Sequence, residues 1–136
     1  MPSLFMLDTD TCIFLMRRAS QKLEAKVQSV PLQNQVMSAV TFAELSYGVQ
    51  ASVSAKRKQN QATLDSLALH LAVLDWPQVA AKFYAEIRFD LKKRGAQLGA
   101  ADLMIAAHAR SLGAVVVTNN VKDFSRVKGL EVENWT

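Results

Sequence analysis

Leu4-Phe5-Met6-Leu7-Asp8-Thr9-Asp10-Thr11 decides how this chain is read. Four large apolar residues in succession predict a short strand buried on both faces. It ends on Asp8, and Thr9, Asp10 and Thr11 are residue types that stop strands and cap helices. A carboxylate at the carboxyl end of a buried parallel strand stands in the crevice where open α/β sheets carry out their chemistry. A plain helix cap uses the same residues, so the positions of the other acids must decide.

Outward from that stretch, helical and strand patterns alternate. Residues 11–18 and 20–29 read as two short helices, the second with Leu23, Val27 and Val30 on one side and Lys22 and Lys26 on the other, broken by Pro31. Residues 36–40 read as a second strand, and Thr41 opens a helix carrying Phe42, Leu45 and Val49. Residues 54–60 are polar and basic, and helical pattern resumes over 62–69. A third apolar run, 71–74, precedes Trp76-Pro77, where proline suits a first helical position. The core stripe of that helix is Val79, Ala80, Phe83, Ile87 and Leu91, and it stops at Lys92-Lys93-Arg94-Gly95. Residues 100–112 are apolar nearly all round and therefore central, stopped by Gly113. A β-branched strand over 114–117, a short helix near 122–124 and a last strand near 130–132 complete the chain. This alternation predicts one α/β domain over residues 1–136, with a mostly parallel sheet of four or five strands covered on both faces.

Composition agrees with a globular chain: of 136 residues, 50% are hydrophobic and 21% charged. Sixteen Lys+Arg against twelve Asp+Glu give a net charge of +4, which permits a polyanionic partner without requiring one. Cys12 is alone, which excludes a disulfide framework and a cysteine metal site and fits a reducing cytoplasm. The first apolar run is too short, and lacks the basic leader, for a secretory signal, and no stretch approaches the ~20 residues of a membrane span.

The acids fall at corresponding places on this map. Asp8 ends the first strand, Glu44 lies one turn into the helix after the second, Asp102 opens the central helix, and Asp123 follows the fourth strand beyond Asn119 and Asn120. In a parallel sheet these places share one edge, so four acids distant in sequence converge there. Each has a structural alternative: Thr41-Phe42-Ala43-Glu44 fits a capping box, Asp102 complements a helix dipole, and Asp123 fits a surface cap. Several unpaired carboxylates around one crevice repel one another unless a cation sits among them. Oxygen ligands without histidine or cysteine point to magnesium or manganese, and such a centre can activate water against a phosphodiester. His108, within Ala106-Ala107-His108-Ala109, reads as a hydrogen-bonded core histidine, and neither it nor His70 enters the chemistry. The clusters Arg17-Arg18, Lys56-Arg57-Lys58 and Lys92-Lys93-Arg94 read as solvated faces, although a nuclease also needs basic flanks to hold a nucleic-acid backbone.

The opening Leu7-Asp8-Thr9-Asp10 resembles that of PIN-domain ribonucleases. Val40-Thr41-Phe42-Ala43-Glu44-Leu45-Ser46-Tyr47-Gly48 resembles the V-T-x-x-E-L-x-Y-G segment of VapC toxins. Residues 99–109 resemble their D-x-x-I-A-x-H-A helix, and residues 117–124 their T-N-N-x-x-D/E-F turn. The resemblance spans the chain and implies a PIN-like three-layer α/β/α sandwich. It further implies a Mg2+-dependent endoribonuclease toxin, with Mn2+ as substitute ion, of a type II toxin–antitoxin pair. Asp8, Glu44 and Asp102 would be its metal-binding acids, with Asp123 beside them in catalysis. The implied partners are RNA, with initiator tRNA cut in the anticodon region, a VapB-type antitoxin, a second copy in a homodimer, and DNA only through the antitoxin complex. Two positions depart from the family pattern: Asn120 stands where a fourth acid is frequent, and Asp10 where Asn is frequent.

Three other readings fit parts of the chain. Asp8-Thr9-Asp10 resembles the D-x-D motif of haloacid-dehalogenase-type phosphatases, with Asp8 as nucleophile, but Cys12 takes the fifth motif position and no later paired acids follow. A receiver-like binding domain would use Asp8, Asp75, Thr118 and Lys122, without an adjacent acidic pair or a proline after Lys122. A PIN fold without catalysis is the third, and three acids in place argue against it.

Overall fold

The computed structural model describes residues 3–136. Five strands form one sheet: β1 (Phe5–Leu7), β2 (Gln35–Ser38), β3 (Ala72–Leu74), β4 (Val115–Val117) and β5 (Glu131–Glu133). Seven helices flank it: α1 (Thr9–Arg17), α2 (Gln21–Ser29), α3 (Ala39–Ala51), α4 (Ser54–His70), α5 (Ala80–Lys93), α6 (Ala100–Leu112) and α7 (Val121–Phe124). The strand order is β3-β2-β1-β4-β5 and every pairing is parallel, so the sheet is wholly rather than mostly parallel. A receiver-type sheet instead runs 2-1-3-4-5. That reading therefore fails on topology.

Alternation along the three central strands divides the core in two. Met6, Val36 and Val116 point to one face, where Ile87 and Leu91 of α5 and Leu103, Ile105, Ala106 and Ala107 of α6 cover them. Leu7, Met37 and Val117 point to the other face, beneath Cys12 of α1, Leu23 of α2, Leu45 and Val49 of α3 and Leu64 of α4. Burial on both faces explains why these strands read as unbroken apolar runs. The outermost β5 differs, carrying exposed Glu131 and Glu133 around Val132, as edge strands do.

The first helix begins at Thr9 rather than residue 11, and three further boundaries move. The second strand stops at Ser38 rather than residue 40, because the Ser38 hydroxyl accepts the Val40 N–H at 3.1 Å and caps α3. The basic run 54–60 is the start of α4 rather than a break before it. Pro77 opens a turn ahead of α5, with the Ala80 N–H donating to the Pro77 carbonyl. Val79 is consequently 57% exposed and leaves the core stripe, while Trp76 packs against that core and its indole N–H donates to the Met104 carbonyl of α6 at 2.9 Å. Gly95 and Gly113 end their helices at φ 69 and φ 64, a backbone region open to glycine. Among the described residues no helix is long and apolar enough to cross a membrane.

Candidate active site

β1 lies between β2 and β4, so successive connections leave its carboxyl end in opposite directions and open a crevice there. Asp8 occupies this point. Its N–H still belongs to the sheet, donating to the Val117 carbonyl at 3.0 Å, and its Oδ1 accepts the Thr11 N–H at 2.9 Å to cap α1. The cap reading and the buried-acid reading are therefore both correct of one residue. At 2% exposure Asp8 is no surface cap, and burial pushes its carboxyl above the usual 3.8. The Thr118 hydroxyl and the Thr11 amide and hydroxyl oppose that rise, and the charge of Asp10 adds to it.

Asp102 is half-buried in the first turn of α6, with Gly99 at the cap. A Cβ on Gly99 would stand 3.9 Å from its Oδ2. Its carboxyl is pushed up to about 6, first by burial, then by the charges of Asp8, Glu44, Asp10 and Asp123 in that order. That electrostatic neighbourhood is the convergence that strand order requires of residues 94 positions apart.

Glu44 reaches the same edge from α3. The capping-box role fails, since α3 begins at Ala39 with Ser38 as its cap and Thr41 lies inside the helix. The Thr9 hydroxyl instead donates to Glu44 Oε1 at 2.5 Å and stands 3.3 Å from Thr41 Oγ1. Asp123 is different again. It accepts the Asn120 side-chain amide at 2.8 Å and pairs with Arg126 at 3.5 Å, so its charge is compensated in part. Asn120 thus holds the nearby acid rather than replacing it, and its own N–H donates to Thr118 Oγ1 at 2.9 Å.

Among the described residues, no ion pair involves Asp8, Asp10, Glu44 or Asp102. Nor, among the described residues, do three His, Cys, Asp or Glu side chains stand ready to enclose an ion. The donor chemistry nevertheless fits a hard divalent cation: carboxylate oxygens only, and negative charge uncompensated by any side chain. Both histidines stay outside. Buried His108 shares a 2.8 Å hydrogen bond with Ser38 Oγ and its burial lowers its pKa, while exposed His70 bonds the Ser66 carbonyl at 2.9 Å.

As partners of the acids Thr9 and Thr118 did not stand out in the sequence, where Thr9 read as a capping residue and Thr118 entered only the T-N-N turn and the receiver-like alternative. The usable signal is position, because Thr118 directly follows β4 and Thr9 follows Asp8 beyond the end of β1, which sets both hydroxyls at that edge.

Comparison with known proteins agrees with this geometry. The PIN domain family matches residues 5–130. Over 131 residues the chain is 37% identical to the tRNA(fMet)-specific endonuclease VapC of Salmonella typhimurium, covering 96% of this chain and 97% of that one. It is 35% identical over 133 residues to ribonuclease VapC2 of Rickettsia felis, covering 97% and 98%. Among solved structures, DNA-bound VapBC from Salmonella typhimurium superposes with a TM-score of 0.92 at 36% identity, covering 99% of this chain and 100% of the other. VapBC2 from Rickettsia felis, bound to a DNA fragment from its promoter, gives 0.90 at 32% identity, covering 98% and 99%. The chain belongs to the PIN-domain family and, within it, to the VapC ribonucleases of VapBC toxin–antitoxin systems.

Proposed function

We propose that this chain is a metal-dependent endoribonuclease toxin that hydrolyses RNA at the sheet edge that carries Asp8, Glu44 and Asp102. The observation that carries the reading is Asp102, half-buried and raised to about 6 by burial and by four neighbouring acids, with no cation paired to it among the described residues. Such a concentration of like charge is what a divalent ion neutralises. Asp8, Glu44 and Asp102 are the proposed ligands for Mg2+, with Mn2+ as a substitute. When bound, the ion polarises the phosphodiester and makes water a stronger nucleophile.

The chain's own residues fix the direction of that charge. Thr11 and Thr118 hold Asp8 at the strand end. The Thr9 hydroxyl restrains the longer, exposed Glu44 side chain, which would otherwise sample many rotamers. Gly99, lacking a Cβ that would stand in contact with Asp102 Oδ2 at 3.9 Å, leaves that oxygen less covered. Asp123, held by Asn120 and compensated in part by Arg126, belongs to the catalytic rim rather than to the ligand set.

The name of the Salmonella relative supports initiator tRNA as the substrate, with cleavage in the anticodon region the expectation. The solved VapBC complexes support a VapB-type antitoxin as partner, with DNA bound through that complex. Inhibition by the antitoxin, a homodimer of this chain and a place in the bacterial cytoplasm follow from the family resemblance alone.

The test is incubation of the purified chain with tRNA, with magnesium and with chelator. Cleavage is expected only with magnesium, leaving 5′-phosphate ends, and lost in Asp102→Asn. Cyclic 2′,3′-phosphate ends would mean attack by the RNA's own hydroxyl and overturn the reading, as would undiminished cleavage in chelator.

A further inference from the structure

A second groove opens beside Glu44 that the proposed hydrolysis leaves without a task. It lies between α1, α3 and α4, encloses about 320 Å³, and is lined by Arg17, Glu44, Gly48, Gln59 and Asn60 above an apolar floor that includes Leu45. Two features of it call for something outside the chain.

The first is Gly48. It sits in the interior of α3, exposed, four residues and so about one turn from Glu44. Glycine inside a helix is less stable than alanine because it loses more backbone freedom on folding. Nothing in the fold demands it: its φ is not positive, and a Cβ there would meet no atom within 4 Å. The missing side chain leaves bare backbone facing the groove, which suits close approach by another molecule.

The second is a set of uncommitted polar groups. Among the described residues the side chains of Arg17, Gln59 and Asn60 enter no ion pair, and no side-chain hydrogen bond engages them. The neighbouring Arg18 does pair, with Glu24 at 3.8 Å. Past the groove, a second depression between α3 and α4 is lined by Arg57 and Lys58 together with Asp65, which accepts the Gln61 side-chain amide at 2.9 Å, so two cations against one acid carry positive charge onward from the groove.

We propose that this groove is a subsite for a single strand of RNA flanking the scissile bond. Arg17 pairs with a backbone phosphate, Gln59 and Asn60 hydrogen-bond the edges of an unstacked base, and that nucleotide lies against the backbone at Gly48. The inference rests on the nuclease reading of the Glu44 edge. A polyanion is repelled by that edge, so its grip must come from cations on the rim, and Arg17 is the one in this groove. A guanidinium matches phosphate with two parallel hydrogen bonds. Carboxamides offer donor and acceptor together, as base edges require. An acidic peptide would use Arg17 but leave the two amides without a specific role.

The test measures binding separately from cleavage, by anisotropy of a labelled single-stranded RNA oligonucleotide on the full chain in chelator across a salt series. Arg17→Ala is expected to weaken binding about tenfold and to lower the salt slope by about 0.7, one single-strand phosphate contact, with Arg17→Lys restoring most of the slope. Gly48→Leu is expected to weaken binding while melting no lower than wild type, because leucine is the better helix former. A glutamate-rich peptide is the parallel probe. Loss of peptide binding with RNA binding intact would assign the groove to a protein partner and overturn the proposal, as would unchanged RNA affinity and slope in both variants. Wild-type protein that never cleaves RNA in magnesium removes the nuclease reading. Wild-type protein that cleaves while both variants bind normally removes the subsite alone.

Discussion

Asp102→Asn tests the electrostatic reading of the site without any ligand, since the amide keeps the shape of the acid and removes its charge. The carboxyl ionises at about 6 in the folded chain against an ordinary 3.8, a rise of about two pKa units. At about 1.4 kcal/mol each, those units set a ceiling of roughly 3 kcal/mol on the cost of holding the charge in place. Asp102 is only half-buried, and solvent screening reduces this to about 1–1.5 kcal/mol. For a domain of this size the variant should melt roughly 3–6 °C above wild type at pH 7.5 in chelator. The sign follows from linkage. With its folded pKa raised, Asp102 carries the full penalty above pH about 6, sheds it as pH falls from about 6 towards 3.8, and carries none below. The melting gap should therefore close by about pH 4. Magnesium should stabilise wild type more than the variant, because an ion that binds the folded state stabilises it by mass action. Scanning calorimetry at pH 7.5 and pH 4, in chelator and in magnesium, reads all of this. Equal melting at pH 7.5 in chelator, or a gap that ignores pH, would refute the like-charge cluster.

The double role of Asp8 separates two substitutions: Asp8→Asn keeps a side chain able to cap α1, whereas Asp8→Ala loses it at a cost of about 1 kcal/mol. The alanine variant should melt several degrees below the asparagine variant in chelator, while neither cleaves RNA, and identical melting would show the cap to be idle. Cys12 is wholly buried, and burial with the nearby Asp8 charge pushes its thiol far above its usual range. Maleimide at pH 8 should label it only after denaturant is added, so stoichiometric labelling of the native chain would contradict the packing of α1.

How much of this was legible in the sequence depends on whether the interaction was local. The unbroken apolar runs at 4–7 and 114–117 announce strands covered on both faces, because only a residue buried from both sides must be apolar at every position. Gly95 and Gly113 announce helix ends through backbone freedom, and the position of each acid at a strand end or helix start announces one shared edge. Tertiary structure decided the rest. The start of α3 turned on whether Ser38 or Thr41 supplied the capping hydroxyl, two local options of similar strength, and Ser38 is also bonded to His108, seventy positions away. Val79 leaves the core and Trp76 joins it because the Pro77 turn aims them relative to α6, which no periodicity within the segment records. The acids separate for the same reason. Pattern placed Asp8, Glu44, Asp102 and Asp123 at one edge, but only the folded chain brings Thr9 to Glu44, sets Arg126 on Asp123, and leaves Asp102 half-buried among like charges. Burial and charge are sums over neighbours in space, so the sequence names the participants while the fold assigns how strongly each is perturbed.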